Sequence, residues 1–521
     1  MVDLESDTIS KNRSNNPYYY FILIIGAGLL IRFFYFEQYP IGFSDDSIQY
    51  FWYANDIKIL NQLPNYLLSQ SGWPIFLSFF FEVFHFDNFW EYIQLQRILS
   101  MILSIITIMP IYYLCNRFFN RNLSLIGAFL FGFEPRIIQN SLFGITESLY
   151  ILILTIIFVL FLNNNKKIIF LSFGLLGIST IIRVESLVLI IPLSIIFLIR
   201  FKNELNYKRN FLIMAVFFLI MLIPVMILTP LITFNPTDNE GNPVSNRLVA
   251  ELKYVSGNLV KDEHEVPWYY NYNFQNIIKF LGWSMIPIFL LFVPIGMVLI
   301  FKQWQKNNLF IILVTICTLI PGFYALLRFA DGRYIFPAYP MFCLIALFAI
   351  RYFDKKIFSK KILYLLIIVF VVISSTVFLE TKLRVDTVYE GESFEIAKEV
   401  VKQTKVINQY SPESKYVIIA KMHETEFPIL SSEFKNIPLL DYDANSFEEY
   451  LMKGEEMGLT HLVLDRNESI YRHEFFKDVF ENGENIPYLI KKFDSSELNF
   501  KYHVKIFEID YEKFHELVKL E

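Results

Sequence analysis

The sequence predicts a polytopic α-helical membrane protein of about eleven transmembrane helices, followed by a C-terminal extracytoplasmic α/β domain. Three observations predict it. Only 19% of the 521 residues are charged and 54% are hydrophobic, against roughly 25% charged in a soluble domain. Apolar runs long enough for about 30 Å of hydrocarbon recur from Tyr18 to residue 379. The charge is also divided: residues 381–521 hold 18 Lys/Arg against 28 Asp/Glu, a net of -10, which leaves +5 for the first 380 residues within a total of -5. This composition excludes a disordered chain, because so much Ile, Leu and Phe cannot stay unburied. Three cysteines exclude a disulfide scaffold, and a net negative chain without a Lys/Arg block argues against nucleic acid.

Residues 1–16 are polar and are expected to be cytoplasmic. The run from Tyr18 to Phe36 reads as a retained span, since no small-residue cleavage site follows it. Further runs near 95–115, 122–137, 142–162, 168–182, 184–200, 211–231, 278–301, 309–327, 334–350 and 361–379 complete the eleven. Residues 73–84, beginning Trp73-Pro74-Ile75-Phe76, are apolar but short, which suits a re-entrant or interfacial helix. Residues 17–380 thus form a membrane domain with large loops at 37–94 and 232–274, and residues 381–521 a soluble one.

Basic residues orient the bundle. Alternate loops carry Arg117 and Arg121; Lys166 and Lys167; Arg200, Lys202, Lys208 and Arg209; Lys302 and Lys306; and Arg351, Lys355, Lys356, Lys360 and Lys361. The positive-inside rule makes their side cytoplasmic, so both large loops and the acidic tail face outward. In the tail, 416–420 and 461–464 read as strands, and 392–403 and 446–458 as helices. Asn467-Glu468-Ser469 fits a glycosylation acceptor. The tail has no cysteine, which fits a prokaryotic plasma membrane and envelope.

The outward face mixes carboxylates with arginines close to span ends: Asp45 and Asp46, Glu134 and Arg136, Glu147, Arg183 and Glu185, and Arg328, Asp331 and Arg333. Ionisable groups near hydrocarbon are costly unless paired or wetted, so they mark a site or a structural ion pair. Asp45-Asp46 follows Gly42-Phe43-Ser44; crowding raises one carboxyl pKa, a property useful in a base, or the pair caps a helix over 47–60. Arg328 and Arg333 suit a phosphate head group gripped by bidentate bonds, or anchor the interface with Tyr334. Pro337 and Pro340 then break or tilt the next helix. Thr146-Glu147 and Arg183-Val184-Glu185 are weaker signals, and either reads as an ion pair that holds the bundle or as part of a site. None of the seven histidines falls in a zinc spacing, and Cys115, Cys317 and Cys343 read as packing. No phosphate-cradling glycine loop or cytoplasmic domain offers a place for a nucleotide, so an activated substrate must come from the membrane.

The order of these pieces resembles the GT-C superfamily of membrane glycosyltransferases over roughly residues 20–380, especially the branch of the protein O-mannosyltransferases and the lipid A aminoarabinose transferase. The carriers are Asp45-Asp46 after the first span, Gly72-Trp73-Pro74, Thr146-Glu147-Ser148, Arg183-Val184-Glu185, and Arg333-Tyr334 with Pro337 and Pro340. The acidic step is Asp-Asp where the branch has Asp-Glu, and the tail lacks the tryptophan-rich signature of oligosaccharyltransferases. The resemblance implies transfer of a sugar, with inversion, from a polyprenyl-phosphate-linked monosaccharide to an acceptor hydroxyl on a protein, lipid or lipid-linked glycan. It implies Asp45 as general base with Asp46 orienting the acceptor, and Arg333 stabilising the leaving phosphate with Arg328 or Arg183 and Tyr334 beside them. Glu147 and Glu185 then hold the arginines or bind sugar hydroxyls. Some members use a divalent cation; no other cofactor is implied. The competing reading is a transporter or flippase of lipid-linked sugars, against which stands the lack of matching Gly/Pro-broken spans in two halves. A non-catalytic membrane scaffold is the third.

Overall fold

The computed structural model describes residues 17–38, 45–58, 71–86, 89–232, 274–305, 308–328, 332–356, 359–383, 439–440, 442–466 and 473–518, with short pieces between 392 and 408. The predicted strand 416–420, Asp331, Asn467-Glu468-Ser469 and nearly all of the loop 232–274 lie outside the described residues. The chain divides into two compact units, one of residues 1–37, 63–73 and 99–378, the other of residues 38–62, 74–98 and 379–521.

In chain order the helices are α1 Pro17–Gln38, α2 Asp45–Lys58, α3 Gly72–Val83, α4 Phe89–Cys115, α5 Arg121–Gly132, α6 Pro135–Ser141, α7 Glu147–Phe161, α8 Lys166–Ser179, α9 Ile190–Phe201 and α10 Tyr207–Ile232. They continue with α11 Phe274–Met285, α12 Phe289–Lys302, α13 Asn308–Arg328, α14 Tyr339–Lys356 and α15 Lys360–Phe378. Short 3-10 turns at Val184–Leu189 and Gly332–Ala338 lead into α9 and α14.

A helix occupies each of the eleven predicted places, yet among the described residues only six are long and apolar enough to cross a membrane. They become seven if α11 and α12, bent by 113°, count as one span. Hydropathy windows run across backbone breaks that the chain makes. Pro135 at the first position of α6 cannot continue α5, which stops at 12 residues. Gly144, at φ 68°, turns the chain before α7, which has 15 residues. The short apolar segment expected at 73–84 is the 12-residue α3.

Close helix packing and a buried arginine each join helices in the first unit. Gly296 lets α12 lie directly on α14, since a Cβ there would collide with the Ile345 carbonyl. Arg32, fully buried in α1, donates from Nη1 to Gly28 O at 3.0 Å and Gly132 O at 2.8 Å, and from Nη2 to Ser104 Oγ at 3.1 Å. The Gly132 carbonyl is a C-terminal orphan of α5, where a cation is stabilised by the helix dipole. Lipid-facing surfaces remain apolar, as at Leu30 in α1 and Leu365 in α15.

The second unit contains a five-stranded sheet in the order β2-β1-β3-β5-β4, from β1 Ile407–Asn408, β2 Leu439–Leu440, β3 His461–Asp465, β4 Leu489–Asp494 and β5 Val504–Ile509. β1 runs parallel to β2 and β3, while β5 runs antiparallel to β3 and β4, with an irregularity between Lys491 and Phe493. All five residues of β3 are buried, as a central strand requires. The Asn408 side chain accepts from Val463 N at 2.7 Å and donates to Val463 O at 3.1 Å, extending the short β1–β3 ladder. Helix α16 Phe447–Glu456 starts at Ser446, whose hydroxyl accepts from Glu449 N at 3.1 Å. With α17 Phe475–Asn482 and α18 Tyr511–Val518, it covers a core of Leu451, Leu462, Leu464, Phe476, Phe507 and Phe514.

Candidate functional site

The Thr-Glu and Arg-x-Glu steps, 36 positions apart, meet in the first unit. Arg183 Nη1 donates to Glu147 Oε1 at 2.6 Å and Nη2 to Glu185 Oε1 at 3.2 Å. Its guanidinium lies 4.5 Å over the Tyr334 ring and 5.8 Å from that of Tyr150, a stacking arrangement open to Arg. Only 2% of Arg183 is exposed. Local structure explains the convergence. Arg183 has an extended backbone ahead of the 3-10 turn, Glu147 opens α7, and Tyr334 sits in the 3-10 turn before α14. The preceding chain is pinned by α3: Gly72 N donates to Ile181 O at 2.8 Å, and a Cβ on Gly72 would lie 2.7 Å from Ile182 Cα. The Trp73 indole donates to Gly144 O at 2.8 Å, on the other side of the cluster's sequence.

Tyr150, Arg183, Glu185, Thr318, Tyr334 and Pro337 line a cavity of about 10 Å³, roughly the space of one water. Glu147, Arg183 and Glu185 thus form a buried ion-paired cluster with Tyr334 stacked over the guanidinium. Arg333, next to that tyrosine, is half-buried. Arg328 is the last residue of α13, and its side chain lies outside the described residues.

Asp45 and Asp46 form the first turn of α2, two residues earlier than the helix expected at 47–60. Carboxylates there are favoured by the helix dipole. Asp46 is half-buried; the side chain of Asp45 lies outside the described residues. Within the same unit, Gln96 Nε2 of α4 donates to Ser47 O at 2.8 Å and fixes the helix start. Near the other end of α2, burial pushes the Asp56 carboxyl up to about 6. A raised carboxyl pKa in the folded state means a stability cost that is present above about pH 6 and absent below the ordinary carboxylate range. Asp56→Asn is expected to raise the melting temperature at pH 8 and leave it unchanged near pH 3; an equal rise at both would remove burial of the charge as the cause.

Arg136, read from the sequence as part of the outward charge set, has a structural task. It donates from Nη2 to Trp283 O at 2.6 Å and from Nε to Ile286 O at 3.2 Å, where α11 ends; the Trp283 carbonyl also accepts from Ile286 N at 3.2 Å. Its guanidinium also lies 5.0 Å from the Trp283 ring and 4.8 Å from that of Phe378. Sequence reasoning passed over Arg32, Gln96 and Tyr150; only Arg32 carried a signal, a cation inside an apolar run. Among the described residues no three His, Cys, Asp or Glu side chains gather as metal ligands.

The Alg9-like mannosyltransferase family model matches residues 66–428, more than half of the chain. No curated protein matches the chain. Among solved structures, ArnT from Cupriavidus metallidurans bound to undecaprenyl phosphate superposes with a TM-score of 0.59 at 10% identity, covering 94% of this chain and 98% of that one. The apo state of the same protein gives 0.57 at 9% identity over the same shares. The apo oligosaccharyltransferase of Archaeoglobus fulgidus gives 0.54 at 9% identity, covering 87% of this chain and 70% of that one. At these identities the likeness is one of fold, and it extends over nearly the whole chain. The family match and the fold agree with each other, and the chain belongs to the Alg9-like mannosyltransferase family, among the membrane glycosyltransferases of the GT-C superfamily.

Proposed function

We propose that the protein moves a sugar from a polyprenyl-phosphate-linked monosaccharide to an acceptor hydroxyl, with inversion, on the outer side of a prokaryotic plasma membrane. The family match over residues 66–428 carries the reading. Support for the donor class comes from the ArnT relative, whose structure is bound to undecaprenyl phosphate. In the proposed step Asp45 takes the proton of the acceptor hydroxyl as its oxygen bonds the anomeric carbon. The bond from that carbon to the phosphate oxygen breaks, and polyprenyl phosphate departs with the electron pair. Asp46 orients the acceptor. Arg333, with Arg328, meets the charge growing on the phosphate. Arg183 assists through Tyr334, the neighbour of Arg333, while Glu147 and Glu185 hold Arg183 in place. A divalent ion, where the reaction uses one, would find two hard oxygen ligands in Asp45 and Asp46.

The domain reading follows the same line: a cytoplasmic segment 1–16, a catalytic membrane domain 17–380 of eleven spans with outward loops 37–94 and 232–274, and an outward domain 381–521. One compact unit gathers residues 38–62, 74–98 and 379–521, segments that the distribution of basic residues places outside, apart from the end of the last span and the start of α4. The test is sugar transfer in proteoliposomes supplied with radiolabelled polyprenyl-phosphate sugars and an envelope extract as acceptor source. Label is expected to leave the carrier and appear on the acceptor with inverted anomeric configuration. Labelled carrier that crosses the bilayer with its sugar still attached would favour the flippase reading instead.

A further inference from the structure

A second recess lies away from the Arg183 cluster, between α8 and α10. It is a groove of about 670 Å³, within the roughly 300–1,000 Å³ of ligand clefts. Side-chain size explains it. Gly174 and Gly177 let α10 close on the later part of α8: a Cβ at Gly174 would collide with the Phe217 ring, and one at Gly177 would lie 2.7 Å from Phe218 O. The groove walls include Leu171 of α8 and Leu212, Val216 and Ile220 of α10, all strongly exposed, with Lys167 also lining it.

One cation, Lys167, lines the groove, and Lys208 and Arg209 stand one turn ahead of its α10 wall. Residues four apart share a helix face, so Lys208 heads the stripe Leu212, Val216, Ile220 and Arg209 heads the stripe Ile213, Phe217. Lys167 stands in the same relation to Leu171 on α8. Lys166 pairs with Glu204, just ahead of α10, which ties these two helix starts together and occupies that carboxylate. Lys167, Lys208 and Arg209 are exposed and, among the described residues, have no carboxylate partner; the Lys208 ammonium lies 6.0 Å over the Tyr207 ring. An apolar trough headed by three cations is complementary to one kind of molecule: an amphiphile with a negative head.

We propose that this groove binds one anionic phospholipid, its phosphate among Lys167, Lys208 and Arg209 and one acyl chain along the apolar walls. The distribution of basic residues puts it in the cytoplasmic leaflet, where anionic lipid and cationic side chains attract. The site does not depend on the transfer reaction. The experiment is native mass spectrometry of the full chain in detergent, titrated with phosphatidylglycerol, phosphatidylcholine or inorganic phosphate. One phosphatidylglycerol adduct is expected that phosphatidylcholine does not match at tenfold higher concentration and that inorganic phosphate does not displace. Lys167→Glu should weaken it about tenfold, and Val216→Trp should remove it by filling the groove while all three cations remain. Lys208→Ala/Arg209→Ala guards against a folding defect in the first variant, with melting temperatures compared throughout. Equal retention of phosphatidylcholine, displacement by inorganic phosphate, or an adduct unchanged in the variants would overturn the proposal.

Discussion

Asp45→Asn is expected to lower sugar transfer by about a hundredfold or more while the protein still folds and binds its lipid donor. An amide at this position cannot accept the hydroxyl proton, and the loss of a general base typically costs 10² to 10⁴ in rate. The fold of α2 should survive, because its start is held from outside by Gln96 on the Ser47 carbonyl at 2.8 Å and its aromatic residues Phe51, Trp52 and Tyr53 are fully buried. The rate of label release from a polyprenyl-phosphate sugar in proteoliposomes measures the effect, with melting temperature as the control for folding. Asp46→Asn should cost less in kcat and more in KM for the acceptor, as an orienting residue would. Wild-type rates in Asp45→Asn would move the base elsewhere and withdraw the role of the acidic pair.

The largest effect on stability is expected from Arg183. Removing one partner of a buried ion pair costs about 3–5 kcal/mol, since the remaining charge stays buried without compensation. Arg183→Met leaves Glu147, with 5% of its side chain exposed, and Glu185, with 16%, facing each other without a cation. Glu147→Gln should cost less, because Glu185 still pairs with the guanidinium at 3.2 Å. The double variant Arg183→Met/Glu147→Gln should be less destabilised than the two single effects added together, by about 1 kcal/mol or more. Thermal unfolding in detergent of the four proteins closes the cycle. Strict additivity would mean that Arg183 and Glu147 do not act as a pair.

Both predictions begin from residues that could be picked out of the sequence, but for different reasons. Asp45 and Asp46 stood out because two carboxylates follow the first apolar run, and the structure places them in the first turn of α2. Arg183, Glu147 and Glu185 stood out as ionisable groups at span ends, and the structure pairs the arginine with both carboxylates. Arg136 stood out in the same way and proved to close the end of α11 through the Trp283 and Ile286 carbonyls. A charge at a span end therefore announces that something must neutralise it without saying whether that partner is a carboxylate, a carbonyl or a ligand. Gln96 had no mark at all, since its hydrogen bond goes to a backbone atom 49 positions away.

Hydropathy and charge along the chain determined that this is a membrane protein, roughly where its helices lie, and that an acidic α/β domain ends it. These are properties of short windows, and a bilayer imposes them on any chain that crosses it. Tertiary structure alone decided the rest. It cut the predicted spans at Pro135 and Gly144, bent α11 against α12, and brought Arg183 between Glu147 and Glu185 under the Tyr334 ring. It also opened a groove where Gly174 and Gly177 give way to Leu171. Those outcomes depend on which helix faces which, and helix pairing in lipid is set by close packing and by the partners of buried polar groups, neither of which is a property of any one segment.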